Sequence, residues 1–482
     1  MVVQTVRYRA LRESISEMKL SQSPASVTAR FDDPNLIGCA GLVPAMRLAE
    51  AAGLHKLVRA HVRVPGDKGA NAGLKVASLV AGMAAGADGI DDMDLVRHGG
   101  MGRLFGGTRA PSTLGSFLRA FTFGHTRQLD AVASRFLLGL DHNSGLLGPR
   151  GATGPVMLDV DDTLARVHGA KQGAAFGHAK ILGLDALLGV VSGEGFAPVV
   201  FADRLRKGSA GSARGASRLI RDALATVGRP ALAGRQVWTR ADSGFYTSEA
   251  CRAAASRGGW FSVTVKLNTS VSAAVAAIPE DAWTTIEYPD AWQDPDTGQW
   301  VSRAEVAETA YTAFTSTKHP MAVRLVVRRI PDWQAEKRKA QGQDPLLAAW
   351  RHHAFITNVP ADQHDAVAAD HAHRGHAIIE QVNADLKASA LKHMPSGKFP
   401  ANTAWLTLAC MAFNLLRALA TLADDPSLAV AETPTLRQRL INVPARIAAS
   451  ARRIVLHLPL NWKWATSWQA AFHATHHHSP AP

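Results

Sequence analysis

The chain has 482 residues, more than one ordinary hydrophobic core accommodates, so roughly two to four domains or subdomains are expected. With 47% hydrophobic and 19% charged residues it reads as a folded protein and excludes a disordered one. The formal charge of +13 points to a polyanionic partner, although a generally basic proteome gives the same balance. Cys39, Cys251 and Cys410 are far apart and form no Cys-x-x-Cys pair. A disulfide scaffold or zinc ribbon is therefore not expected, and a reducing cytoplasmic setting fits. The opening MVVQTVRYRALRESISEMKL lacks the apolar core of a signal peptide.

Residues 1–35 read as a polar, flexible N-terminus. Residues 36–150 carry helical patterning: LVPAMRLAEAAGL, AGLKVASLVAGMAAG, and a helix opened by Pro111-Ser112-Thr113. Gly-rich turns between them suggest a DNA-binding region of helix-turn-helix type, with Arg119, His125 and Arg127 as DNA-facing candidates. A plain helical bundle explains the same pattern. From residue 151 to 267 strands and helices alternate. PVMLDV, AKILGLDALLGVVS and APVVFADRL read as strands, SARGASRLIRDALATV as a helix, and RQVWTRAD as a strand ending at Asp242. TSEACRAAASRG then reads as a helix and WFSVTVKL as a strand. Three early strands, a helix, then alternation is the order of an RNase H-like core, though periodicity alone admits other α/β folds.

Residues 268–369 change texture to short β-prone pieces and polar loops, with Trp283, Trp292, Trp300 and Trp333 among them. This reads as a β-rich insertion whose tryptophans are mostly core, one of them a candidate for stacking on an unpaired base. Residues 370–425 read as the helical second part of the core: DHAHRGHAIIEQVNADLKASAL as one long helix, then an apolar helix from 403. The apolar helix is long enough to span a membrane, but Asn414 and Arg417 inside it favour a buried core helix. No membrane partner is expected. Residues 426–482 read as a basic tail with an aromatic patch, LPLNWKWATSW, and a disordered HATHHHSPAP end.

The stretch VMLDVDDTLARVHG carries the chemistry. Asp159 and Asp161 share one face of a strand, and Asp162 points to the other. Read alone, Asp-x-Asp-x-Thr after a strand looks like the nucleophile loop of a haloacid-dehalogenase-like phosphatase. That chemistry needs a later acidic Gly-Asp loop, and Gly66-Asp67 lies upstream instead. Metal-dependent phosphodiester chemistry needs carboxylates from separate elements holding two Mg²⁺ ions roughly 3.5–4 Å apart. Asp242 at a strand end and Glu380 within a helix complete such a set, and Lys387 lies seven residues after Glu380, two turns on. The bland alternatives are a strand-end cap for Asp242 and a solvated helix face for Glu380. Arg204 and Arg206, with Lys207, Arg214 and Arg218, surround a Gly/Ser loop that can cradle a DNA phosphate or be a plain solvated turn. His373 and His376 flank the glutamate as candidate phosphate contacts.

At these residues the chain resembles DDE transposases of insertion sequences, specifically the IS1380 family within the IS4-like group. The resembling segments are KVASLVAGMAAGADGIDDMDLVRHGGM, APSTLGSFLRAFTFGHTRQLDAV, LDVDDTLARVHGAKQGAAFGH, RADSGFY and HRGHAIIEQVNADLKASALKHMPSGKFPANTAWL, within residues 36–425. The resemblance implies an α/β fold: an RNase H-like core interrupted by a β-rich insertion, a helical N-terminal DNA-binding region, and a helical, basic C-terminal region. It implies cleavage at terminal inverted repeats and strand transfer into target DNA, with two Mg²⁺ ions or Mn²⁺ in their place. It implies double-stranded DNA as partner and a homodimer in the synaptic complex. Asp161, Asp242 and Glu380 become the catalytic and metal-binding set, with Asp159 a same-face rival for the first acid. The DNA contacts become Lys387, Arg374, His376, Arg204 and Arg206. The group's Tyr-x-x-Arg before the glutamate is replaced by His373 and His376, with Arg374 beside them. A transposon-derived DNA-binding protein without catalysis remains an alternative, as does the phosphatase.

Overall fold

A computed structural model describes residues 28–149, 151–177, 180–227, 232, 234–293, 300–331, 350–450 and 453–477. A short strand, β1 (Leu36–Ile37), precedes the helical region, whose longer helices are α1 (Leu42–Ala51), α2 (Leu54–His61), α3 (Ala72–Ala85), α4 (Pro111–Arg119) and α5 (Phe123–Ser144). Proline at the first turn starts α4, where its missing N–H costs nothing. Thr122 caps α5 reciprocally with His125, which employs that histidine in the fold. Arg127 is likewise engaged, pairing with Asp130 and Asp222.

The alternating region forms one ten-stranded mixed sheet. Its first strands are β2 (Val156–Arg166), β3 (Ala175–Phe176), β4 (Leu182–Gly193) and β5 (Phe196–Lys207). Helix α6 (Ala216–Val227) leads to β6 (Val237–Ala241), and α7 (Ser248–Ala254) leads to β7 (Trp260–Val265). In space the order is β5-β4-β2-β6-β7, antiparallel up to β2 and parallel from β2 to β7. Central β2 is longer than the PVMLDV stretch suggested and is covered on both faces. Val156, Leu158 and Val160 are wholly buried on one side, and so is Asp159 on the other.

The β-rich insertion does not stand apart from this sheet. After α8 (Thr269–Ala276) come β8 (Thr284–Gln293), β9 (Trp300–Ala313), β10 (Met321–Pro331) and β11 (Trp350–Thr357). Strand β11 pairs antiparallel with β7, and β10, β9 and β8 follow outward. The edge that β7 would otherwise leave open is thereby paired. Trp283 and Trp350 flank the Arg329 guanidinium at 4.2 and 4.4 Å, and Glu280 and Glu305 pair with it. Trp283 is thus part of the fold. Trp333 and the side chains of Trp292 and Trp300 lie outside the described residues.

The expected long glutamate helix is divided. Helix α9 (Ala366–Arg374) and α10 (Ile378–Lys387) are joined by a tight 3₁₀ turn at Gly375–Ala377. Helix α9 packs on β9 and β10, and α10 packs on β2, so together they run from the extension to the core.

Helix α11 (Phe399–Thr421) is apolar and long enough to cross a membrane, yet 94% of its most apolar window is buried inside the protein. It lies between β5 and helices α1, α3, α4 and α5, so the helical region and the sheet share this core. Asn414 bonds both the N–H and the C=O of Val200, and Arg417 pairs with Asp385. Asn414 is thereby satisfied inside the core, and Arg417 is paired there through its terminal nitrogens, while its Nε has no hydrogen-bond partner among the described residues. The C-terminal region is ordered across its described residues, in contrast to the expected loose tail. Strands β12 (Ala445–Ser450) and β13 (Arg453–His457) form a hairpin that adds to β1, and α12 (Ala465–His477) packs on α1. Arg437 is not a free basic group: it donates to the Met83 and Ala84 carbonyls at the end of α3.

Candidate active site

The three acids of β2 meet three different environments. Asp159 sits beside Arg240 in the parallel register of β2 and β6. The guanidinium donates two 2.7 Å hydrogen bonds to its carboxylate, and His376 lies 2.9 Å from the same Oδ1. Asp159 is fully buried, and this bidentate pairing meets the hydrogen-bonding needs of the charge. Arg240 also donates to the carbonyls of Ala372 and Gly375, the C-terminal end of α9. A Cβ at position 375 would fall 2.6 Å from the arginine Nη1, so only glycine allows this approach. The break at Gly375 in the predicted long helix is thus where the helix surrenders carbonyls to Arg240.

Asp162 faces the other way and pairs with Arg206, which also holds Asp185 with bonds of 2.8 and 3.0 Å. Arg206 further donates to the carbonyls of Gly211, Ser212 and Arg214. Its guanidinium is therefore consumed in pinning the Gly/Ser loop and is not presented to a DNA phosphate. Arg204 bonds Asp222 at 2.9 Å and is also engaged. Arg374 bonds Asp370 at 2.8 Å. His376 is committed to Asp159, and His373 is enclosed between Ser262 and Thr264 and stacked on Phe355 at 4.2 Å. Burial holds His373 well below the usual imidazole range, so it is a neutral member of the fold. Of the predicted DNA contacts, Lys387 alone is exposed and without an ion pair among the described residues.

Asp161 lies on the same face as Asp159 but has no cationic side chain bonded to it among the described residues. Its Oδ2 accepts a 2.8 Å hydrogen bond from Asn383 Nδ2 on α10. Burial pushes its carboxyl up to about 6, and the charges of Asp162 and Asp242 add to the rise while His376 opposes it. Asp242 ends β6 and caps the turn that follows, accepting a 2.8 Å bond from the Gly244 N–H. Gly244 lies close against Ser212 of the loop that Arg206 holds. Glu380 is exposed in the first turn of α10, three residues before Asn383 and so on the same helix face.

Among the described residues no three His, Cys, Asp or Glu side chains gather as a metal-holding group. The expected convergence of Asp161, Asp242 and Glu380 at single-metal distances is therefore not met in this conformation. The structure brings Asp161 and Asp242 into electrostatic reach and leaves the Glu380 carboxylate in solvent, where an unpaired charge is best hydrated. The donor set still suits a hard, oxygen-seeking cation: a carboxylate pair, a nearby third carboxylate, and no cationic side chain bonded to Asp161. Arg240 and Asn383 went unnoticed in the sequence. A charged residue inside the buried strand QVWTRAD, and an amide one helical turn past Glu380, were the available signals.

Fold and site together define a mixed α/β protein with one acid in the middle of a central strand, a second just past the end of its parallel neighbour, and a third on a helix packed beside them. Residues 20–479 match the family described as Transposase DDE domain group 1, and the chain belongs to that family. It is accordingly a DNA transposase. No curated protein matches the chain. Among solved structures it is similar to a piggyBac transposase synaptic complex with hairpin DNA, at 10% identity and a TM-score of 0.36, covering 89% of this chain and 74% of that one.

Proposed function

We propose that this transposase cuts DNA at the terminal inverted repeats of an IS1380-type element and joins the freed 3′ ends to target DNA. The observation that carries this reading is the pair Asp161, in mid-β2 just past its pairing with β6, and Asp242, just past the end of β6, with Glu380 one helical turn from the side chain that touches Asp161. The five strands β5-β4-β2-β6-β7 follow the order expected of an RNase H-like core. Asp161, Asp242 and Glu380 would hold two Mg²⁺ ions, or Mn²⁺ in their place. Such ions, when bound, activate an attacking oxygen and stabilise the leaving one. Asp161 is the first acid in this reading, because Asp159 is sealed against Arg240. The same burial removes Asp159 as a phosphatase nucleophile, which must reach a phosphoryl group.

Arg240 sets the geometry by tying the start of the glutamate segment to β2. Lys387, two turns beyond Glu380, would take a phosphate of the duplex. The helical region of residues 36–150 would read the repeat, in a dimer that pairs two element ends in the bacterial cytoplasm. Cleavage of DNA carrying the element ends with Mg²⁺ tests this. Wild type should nick the ends, and Glu380→Gln should bind without cutting. Binding without cutting by wild type would instead support a DNA-binding relative that has lost catalysis.

A further inference from the structure

Asn383 is 5% exposed and lies in the middle of α10. Its Nδ2 donates to Asp161 Oδ2 at 2.8 Å, and its Oδ1 is buried with no hydrogen-bond partner. An ionised carboxylate only accepts, so the amide must turn its NH₂ toward Asp161 and its oxygen away. A buried amide oxygen without a partner is costly, which makes an unsatisfied Oδ1 here an anomaly that calls for a ligand. The same side chain joins α10, which carries Glu380, to Asp161 of β2.

We propose that Asn383 is a positioning residue of the metal site. It fixes the Asp161 carboxylate through Oδ2, leaving Oδ1 of the aspartate for the cation. It locks α10 to β2 so that Glu380 closes on the same ion, and it offers its own amide oxygen to that ion or to a water upon it. Hard cations accept amide oxygens alongside carboxylates, so the chemistry is consistent. This inference rests on the reading of Asp161 as a metal ligand.

The test is Mn²⁺ binding to the full chain by calorimetry, with no DNA present. Asn383→Leu keeps the bulk and removes donor and acceptor together. It should weaken Mn²⁺ binding roughly 10–100-fold, as loss of a group that orients a ligand does. Its metal-free unfolding midpoint should not fall, because the orphaned oxygen goes with the donor. Unchanged Mn²⁺ affinity in Asn383→Leu, with binding abolished in Asp161→Asn, would overturn the proposal and leave the metal site intact. Unchanged affinity in Asp161→Asn would remove the metal site itself and this proposal with it. If Asn383→Leu does not fold, Asn383→Ala gives the same reading.

Discussion

Two buried arginines lie on opposite faces of strand β2 and treat its acids in different ways. Arg240 takes Asp159 bidentately and spends its remaining donors on the end of α9, just before the helix that carries Glu380. Arg206 takes Asp162 and Asp185 and spends its remaining donors on the loop before α6. Between them Asp161 receives one side-chain amide and, among the described residues, no cation. A run of acids within four residues thus divides into two that build the site and one that is left for chemistry. The difference lies in the partner and not in the residue type.

The sharpest break between the classes is functional. Asp161→Asn should lose end cleavage by on the order of 10³-fold or more, about 4 kcal/mol of transition-state stabilisation, while its urea midpoint without metal holds or rises. Asp159→Asn should behave oppositely and lose the fold first, since it leaves Arg240 poorly paired. Equal midpoints for the two variants would erase the distinction. Next in size, Arg240→Met should cost about 3–5 kcal/mol in urea unfolding, because it strands a fully buried carboxylate. Arg206→Met should cost less, roughly 2–3 kcal/mol, because water reaches Asp162.

A further acid of the sheet extends the comparison to a carboxyl with no arginine bonded to it among the described residues. Asp203 on β5 is half-buried and accepts from the Thr407 hydroxyl at 2.9 Å. Burial first, then the charge of Asp130, pushes it up to about 7. A carboxyl raised in the folded state contributes stability that is present below its unfolded value near 3.8 and is lost as pH rises through about 7. Asp203→Asn should therefore match wild type at pH 4 and exceed it at pH 8 by on the order of 2 kcal/mol. Denaturant midpoints across that range check it, and a constant offset at every pH would contradict it. The smallest effect is expected at the surface. Lys387→Ala should leave stability unchanged and lower the slope of log affinity against log salt by about one unit. Arg206→Met should not alter that slope, since its guanidinium faces inward.

Much of the architecture was legible from residue 151 onward. Short apolar runs and a helical pattern gave β2, β4, β5, α6 and β6 in order, because those elements are set by local pattern. Asp242 at the end of RAD and Glu380 in the helix could be picked out, because the special feature of each is its place on its own element. The paired state of Arg206 and His373 was not legible. Both looked like surface cations in sequence, and each is committed by contacts from strands or loops distant in the chain. Nor did composition reveal that residues 433–477 fold onto the N-terminal helices: a segment poor in acids reads as a tail unless its apolar partners on α1 and β1 are known.

By itself, then, the sequence determined which residue types were available and their alternation, including the opposite facings of Asp159 and Asp162, since strand geometry fixes that locally. Tertiary structure decided which acid is neutralised. An arginine can satisfy a buried carboxylate only if the register of β2 against β6 brings it there, and register is a property of paired strands. It also decided where the glutamate helix bends. That bend depends on Arg240 reaching the carbonyls of residues 372 and 375 from 132 and 135 positions away in the chain.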